Sequence, residues 1–141
     1  MKVLGIDAGT SALKAIIVDE AQAILAESAV PLRTSNPRPG WSEQRPDDWW
    51  LALQQAIASL RAAQPEALRR VRAVGLSGQM HGAVLVDSAG HPIRPAILWN
   101  DGRATRECEL LQEAVPDLPW IAGVIAMPGF TAPKLLWLKA H

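Results

Sequence analysis

Short apolar runs at the start of the chain, separated by glycine, aspartate and small polar residues, predict three consecutive strands over residues 2–8, 12–19 and 23–32. Connections this short join neighbours, so the three form a meander. After the third strand comes Arg33-Thr34-Ser35-Asn36-Pro37-Arg38-Pro39-Gly40, a loop by its prolines and glycine. Pro46 then opens a helix. Asp47 and Asp48 sit in its first turn, where the helix dipole favours carboxylates, and Trp49, Leu53, Ile57 and Leu60 recur down one face. Val71 to Leu76 reads as a further strand leading into the loop Ser77-Gly78-Gln79-Met80-His81. A second hairpin follows, from Gly82 to Asp87, around Ser88-Ala89-Gly90, and back through Ile93 to Trp99. Asn100-Asp101-Gly102-Arg103 opens a helix that runs to Val115 and is stopped by Pro116. Thr131, with Pro133 in the first turn, starts a last short helix carrying Leu135, Leu136 and Trp137.

The order is βββαβ, then an added hairpin and helices, read as one α/β unit over residues 1–141 without repeats or low-complexity tracts. Ligands of such sheets lie outside the carboxyl ends of strands. Here those ends are Asp7 to Ser11, Ser77 to His81 and Asn100 to Arg103, three loops that can share a cleft. A chain of 141 residues is one domain's worth. Its 14 basic residues equal its 14 acidic ones, so no overall field draws it to nucleic acid or to an anionic membrane, and neither is expected as a partner. No leader pattern precedes the first strand and no apolar run is long enough to span a bilayer, so the expected location is the cytoplasm. Cys108 is the one cysteine, which rules out an internal disulfide; on the apolar stripe of its helix it reads as a buried, inert thiol.

Candidate chemistry concentrates in Leu4-Gly5-Ile6-Asp7-Ala8-Gly9-Thr10-Ser11 and the strand after it. Gly5 and Gly9 are spaced four apart and followed by a strand, which excludes the dinucleotide fingerprint; Lys14 lies inside that strand, which excludes a Walker loop. What remains is a glycine hairpin with Asp7 at its mouth. Gly9 can take positive φ in a tight turn. The turn amides with the hydroxyls of Thr10 and Ser11 then form a nest for phosphate oxygens. Asp7 beside them suits a hydrated Mg2+, which takes one or two carboxylates together with substrate phosphate. The competing reading is an ordinary hairpin whose Asp, Gly, Thr and Ser are turn formers.

Other residues carry paired readings as well. Taken singly, His81 caps a strand end or bonds backbone, and Met80 is core filler. Asp101 and Arg103 either bond sugar hydroxyls or cap the following helix and pair with each other. Trp41 either offers its ring to a ligand or steadies its loop, Trp99 packs with one edge exposed, and Asp19 and Asp87 are solvated turn residues.

Five segments in order bear on these readings, most of all on Met80 and His81: Gly5-Ile6-Asp7-Ala8-Gly9-Thr10-Ser11; Trp41-Ser42-Glu43-Gln44 with Trp49-Trp50; Gly78-Gln79-Met80-His81-Gly82; Pro95 to Arg103; and Pro128 to Trp137. Together they resemble the amino-terminal part of the FGGY family of carbohydrate kinases, over nearly the whole chain. Gln79-Met80-His81-Gly82 is closer to the branch acting on D-xylulose than to the glycerol branch. The resemblance implies a ribonuclease H-like, actin-like ATPase fold in which two such domains face each other and bind ATP and sugar. It gives Gly9, Thr10 and Ser11 phosphate contacts, Asp7 the acidic position needed for activity through Mg2+, and Met80 and His81 contact with D-xylulose. It puts the catalytic base and adenine pocket in a second stretch beyond His141. Residues 1–141 are then part of an amino-terminal domain, expected to be inactive alone. Rival readings are another sugar or polyol kinase of the family, a chaperone-like or cytoskeletal ATPase of the same fold, and a non-catalytic nucleotide-binding module. The fold also implies that the strand at 71–76 lies at a sheet edge, expected to be covered by a second copy, a loop or the last helix, with a homodimer as one outcome.

Overall fold

The computed structural model describes residues 1–141. In chain order the elements are β1 (Lys2–Ala8), β2 (Ala12–Asp19), β3 (Ile24–Pro31), β4 (Glu43–Gln44), α1 (Pro46–Ala63), α2 (Pro65–Arg69), β5 (Val71–Gly78), β6 (Ala96–Ile97), α3 (Thr105–Ala114), α4 (Leu118–Ala122) and α5 (Thr131–Ala140). Met1–Arg33 and Pro46–Gln79 form one compact unit, and Thr34–Arg45 with Met80–His141 form another. The single unit read from the sequence is thus divided: the chain leaves the first unit in the proline-rich loop, contributes a segment to the second, and returns at Pro46.

The first unit is a mixed sheet in the order β3-β2-β1-β5. β1 pairs antiparallel with β2 and parallel with β5, so the meander and the later strand meet on β1. Strand alternation assigns the faces. Leu4, Leu13, Ala15 and Ile17 point to one side and pack on Ala52, Ala56 and Leu60 of α1 and Ala67 of α2. Alanines at 52 and 56 let α1 approach the sheet closely, and each buried leucine or isoleucine stabilises the layer by roughly 1.5–3 kcal/mol. On the other side Gly5 stands between Ile16 and Gly75, and Asp7 between Lys14 and Ser77.

β5 lies at the sheet edge, as its place in the fold implied. Val74 and Leu76, in register with Leu4 and Ile6, are 55% and 79% exposed. The reason is that α1 packs over β2 and β3 and leaves this end of the helix-side face bare.

In the second unit β4 and β6 form a two-stranded antiparallel ladder, extended by the bridges Ser35 to Glu43 and Ala83 to Ile97. The hairpin expected over 82–99 exists in broken form. Its turn is closed by the Gly90 amide donating to Asp87 O and the His91 amide to Asp87 Oδ1, but Pro92 and Pro95 lack ladder donors, and only Ala96–Ile97 is regular strand. α3 packs on α5. The five-residue helices α2 and α4, each with a proline in its first turn, were not expected from the sequence.

Candidate active site

Asp7, Gly9, Thr10 and Ser11 belong to the first unit; Met80, His81, Asp101 and Arg103 belong to the second.

In the first unit, Asp7 faces an open hollow of about 390 Å3 on the helix-free side of the sheet, lined also by Gly5, Lys14, Ile16, Gly75 and Ser77. The two glycines make the floor, since neither presents a side chain there. Gly9, Thr10 and Ser11 form the turn, with the Gly9 amide donating to Ala12 O at 3.2 Å and Ser11 O accepting from the Leu32 amide at 2.9 Å. The expected positive φ at Gly9 does not occur; the glycines with positive φ are Gly40, Gly90 and Gly123. What calls for glycine is crowding. A Cβ at position 9 would lie 3.2 Å from Ala12 O and 3.7 Å from Asp7 Oδ2.

Gln79, one residue past β5, grips this turn. Its amide donates to Ala8 O at 3.1 Å, its Nε2 to Gly9 O at 3.3 Å, and its Oε1 accepts from the Thr10 hydroxyl at 3.2 Å. Gln79 directly precedes Met80 and His81 in the sequence, yet its side chain reaches back to the hairpin. A phosphate that takes the Thr10 hydroxyl proton must therefore displace Gln79 Oε1.

In the second unit Met80 is 59% exposed, and His81 has φ of 58°, in the left-handed region that non-glycine residues seldom adopt. Its ring meets that of Phe130, with centroids 4.5 Å apart. His81 O accepts from Lys134 Nζ at 2.8 Å, and Gly129 O accepts from the same ammonium at 2.6 Å. Lys134 is fully buried, and burial pushes its pKa down to about 8. Gly129 has no room for a side chain: a Cβ would stand 2.3 Å from Trp99 O. Sequence reasoning gave Lys134 no role, although a lone cation between Pro133 and Leu135-Leu136-Trp137 was the available signal.

Asp101 and Arg103 pair with each other, the second of their two readings. Asp101 Oδ1 accepts from Arg103 N and Nε at 2.9 and 2.8 Å; Oδ2 accepts from Arg103 Nη2 at 2.7 Å and from the Ser42 amide at 2.6 Å. Glu43 Oε1 adds contacts to Arg103 Nη2 at 2.8 Å and Arg94 Nη2 at 3.2 Å. Burial by itself would raise the Asp101 pKa, but hydrogen bonds from Arg103 and Ser42 outweigh it and hold the carboxyl below its usual value. Burial likewise opposes the Arg103 charge, and the Asp101 and Glu43 carboxylates override it, raising that pKa. The Arg103 guanidinium lies 3.7 Å over the Trp41 ring, which meets Trp137 edge-on at 5.4 Å. Trp41 therefore steadies its loop. Arg103 Nη1 is buried with no protein partner.

The remaining expectations are quickly placed. Asp19 and Asp87 each cap a turn, accepting amides of Ala21 and Ala23 and of Ala89 and His91. Cys108 is buried, with burial raising its thiol pKa. Trp99 is 45% exposed, more than an edge. No three His, Cys, Asp or Glu side chains gather as a metal cage, and Asp7 is the one carboxylate lining the hollow beside the turn. No helix is long and apolar enough to cross a membrane.

Comparison with known proteins adds the following. The sequence pattern of the FGGY family of carbohydrate kinases, N-terminal domain, matches residues 2–141. Xylulose kinase of Klebsiella pneumoniae is 49% identical over 138 residues, covering 98% of this chain and 28% of that protein. Xylulose kinase of Escherichia coli K12 is 48% identical over 138 residues, again covering 98% of this chain and 28% of that protein. The chain thus spans well under a third of the length of these curated relatives. A crystal structure of a "xyloylose kinase" from Brucella ovis superposes with TM-score 0.96 at 48% identity, covering all of this chain and 30% of its own. Xylulose kinase from Rhodospirillum rubrum follows with TM-score 0.94 at 30% identity, covering all of this chain and 29% of its own.

Proposed function

The chain belongs to the FGGY family of carbohydrate kinases, and from that membership we propose that it supplies the amino-terminal part of an ATP-dependent kinase converting D-xylulose to D-xylulose 5-phosphate. The observation that carries this reading is the Gly9 to Ser11 turn, gripped by Gln79 beside the single carboxylate of Asp7. The choice of sugar rests on relatives named xylulose kinase together with Met80 and His81.

Phosphoryl transfer depends on placement and on electrostatic stabilisation more than on covalent chemistry. Thr10 and Ser11 offer amide and hydroxyl protons to phosphate oxygens, while the Gly9 amide closes the turn on Ala12 O and its missing side chain leaves close approach open. Asp7 holds Mg2+ through water; when bound, that ion neutralises charge on the phosphate oxygens. His81 and Met80 take the sugar, with the His81 imidazole as the polar group and the exposed Met80 as the apolar one. The base that takes the hydroxyl proton, and the adenine pocket, come from outside residues 1–141, a segment that forms part of an amino-terminal domain. The purified 141-residue chain should then show no turnover of D-xylulose with ATP in a coupled assay, while the full-length enzyme containing it turns over and is stabilised against heat by D-xylulose. Turnover by the chain alone, or a full-length enzyme indifferent to D-xylulose, contradicts the proposal.

A further inference from the structure

Lys134 is the group in the second unit with the least ordinary surroundings. A fully buried lysine normally faces a carboxylate. Here the nearby carboxylate of Asp101 is bonded to Arg103, and the ammonium instead donates to two main-chain oxygens, His81 O at 2.8 Å and Gly129 O at 2.6 Å. Those carbonyls flank a ring pair. His81 is the residue after Met80, and Phe130, whose ring lies 4.5 Å from the imidazole, follows Gly129. The two ends of the clasp are thus the two backbones that set the relative placement of these rings. At the Gly129 end the backbone lies where any side chain would collide with Trp99 O. At the other end His81 is held at a φ of 58°, in the left-handed region that residues with side chains seldom adopt.

We infer that Lys134 is a positioning residue for the sugar subsite: by bonding His81 O it keeps the His81 backbone left-handed and the imidazole turned to its working direction. The inference rests on the reading of His81 as a sugar contact. With no donor at position 134, His81 O loses the bond that holds it, and the residue relaxes toward ordinary φ values, carrying the imidazole with it. The consequence is specific to sugar binding, because neither carbonyl belongs to the hairpin that bears Thr10 and Ser11.

The test compares Lys134→Met and Lys134→Gln with His81→Ala in the full-length enzyme, alongside amide NMR of the 141-residue chain. Lys134→Met should raise the KM for D-xylulose by about tenfold and leave the KM for ATP within about twofold, the pattern of a lost ground-state contact on one substrate. Amide resonances of His81, Gly82, Gly129 and Phe130 should move, while those of Thr10 and Ser11 stay. If Lys134→Met does not fold, Lys134→Gln carries the same expectation, being too short to span both carbonyls. A normal sugar KM in a Lys134 variant, with His81→Ala raising it, overturns the inference. A normal sugar KM in His81→Ala defeats instead the reading of His81 on which it rests, and an unmoved His81 resonance in Lys134→Met removes the clasp itself.

Discussion

The buried ammonium of Lys134 makes stability depend on alkaline pH in a predictable way. Its pKa falls from the ordinary 10.5 to about 8, with burial the main cause, repulsion from Arg103 assisting and the Asp101 charge opposing. Because the folded value is the lower one, the folded chain sheds this proton first; between the two values the unfolded chain holds a proton that the folded chain lacks, and stability rises with pH. The window is about 2.5 units wide, and at about 1.4 kcal/mol per unit the gain from pH 8 to 10.5 approaches roughly 3 kcal/mol. That is a large share of the roughly 5–15 kcal/mol that separates folded from unfolded domains. Lys134→Met removes the titrating group. The assay is urea unfolding by tryptophan fluorescence at intervals from pH 7 to 10.5, on wild type and Lys134→Met in parallel. Trp41, Trp99, Trp120 and Trp137 report the second unit, and the chain has no tyrosine to titrate in this range. Cys108 titrates there with the opposite sign, since burial raises its thiol pKa, but it is present in both proteins and cancels in the difference. Wild-type stability relative to Lys134→Met should climb steadily across the window. A difference that stays level with pH would refute the assignment of a neutralisable buried charge.

Asp101→Asn should destabilise the chain by about 3 kcal/mol, because it strips a buried guanidinium of its bidentate partner, as read in urea midpoints. The wild-type contribution of that carboxylate, whose pKa is lowered, is present above pH 3.8 and is lost as acid carries the pH below the folded value, so the gap between wild type and Asp101→Asn should close in acid. Gln79→Ala releases two side-chain hydrogen bonds from the hairpin turn, each worth about 1 kcal/mol; in the full-length enzyme the KM for ATP should rise while that for D-xylulose holds. Leu76→Lys places a charge on the bare face of the edge strand, and sedimentation should show less self-association of the 141-residue chain than for wild type.

Several elements long enough to show a period and bounded by turn chemistry could be read directly: β1 and β2 occupy 2–8 and 12–19 as expected, α1 begins at Pro46, and α5 at Thr131, whereas β5 runs on to Gly78 and the helix expected to open at Asn100 to Arg103 starts at Thr105. The elements that escaped were short. β4 has two residues and α2 and α4 five each, too few for either periodicity to register. The division into two units escaped for a different reason, because Thr34–Arg45 leaves the first unit and Pro46 rejoins it, so no composition boundary marks the change. At the candidate site, Asp7 and the Gly9 turn were legible from spacing, yet the reason for Gly9 was crowding by Ala12 O instead of positive φ. The direction of the Gln79 side chain and the clasp of Lys134 on His81 depend on segments distant in sequence, which no local pattern encodes. The Asp101 and Arg103 alternatives were both statable beforehand; burial and the Ser42 amide show the pairing.

The central claim is that the Asp7 hairpin serves the phosphates of ATP and the His81 loop serves a ketopentose. Steady-state kinetics of the full-length enzyme with Asp7→Asn and His81→Ala, both substrates varied, test it most directly. Asp7→Asn should lower kcat by about a hundredfold or more with little change in the KM for D-xylulose. His81→Ala should raise that KM and spare the KM for ATP. Wild-type constants in both variants would contradict it.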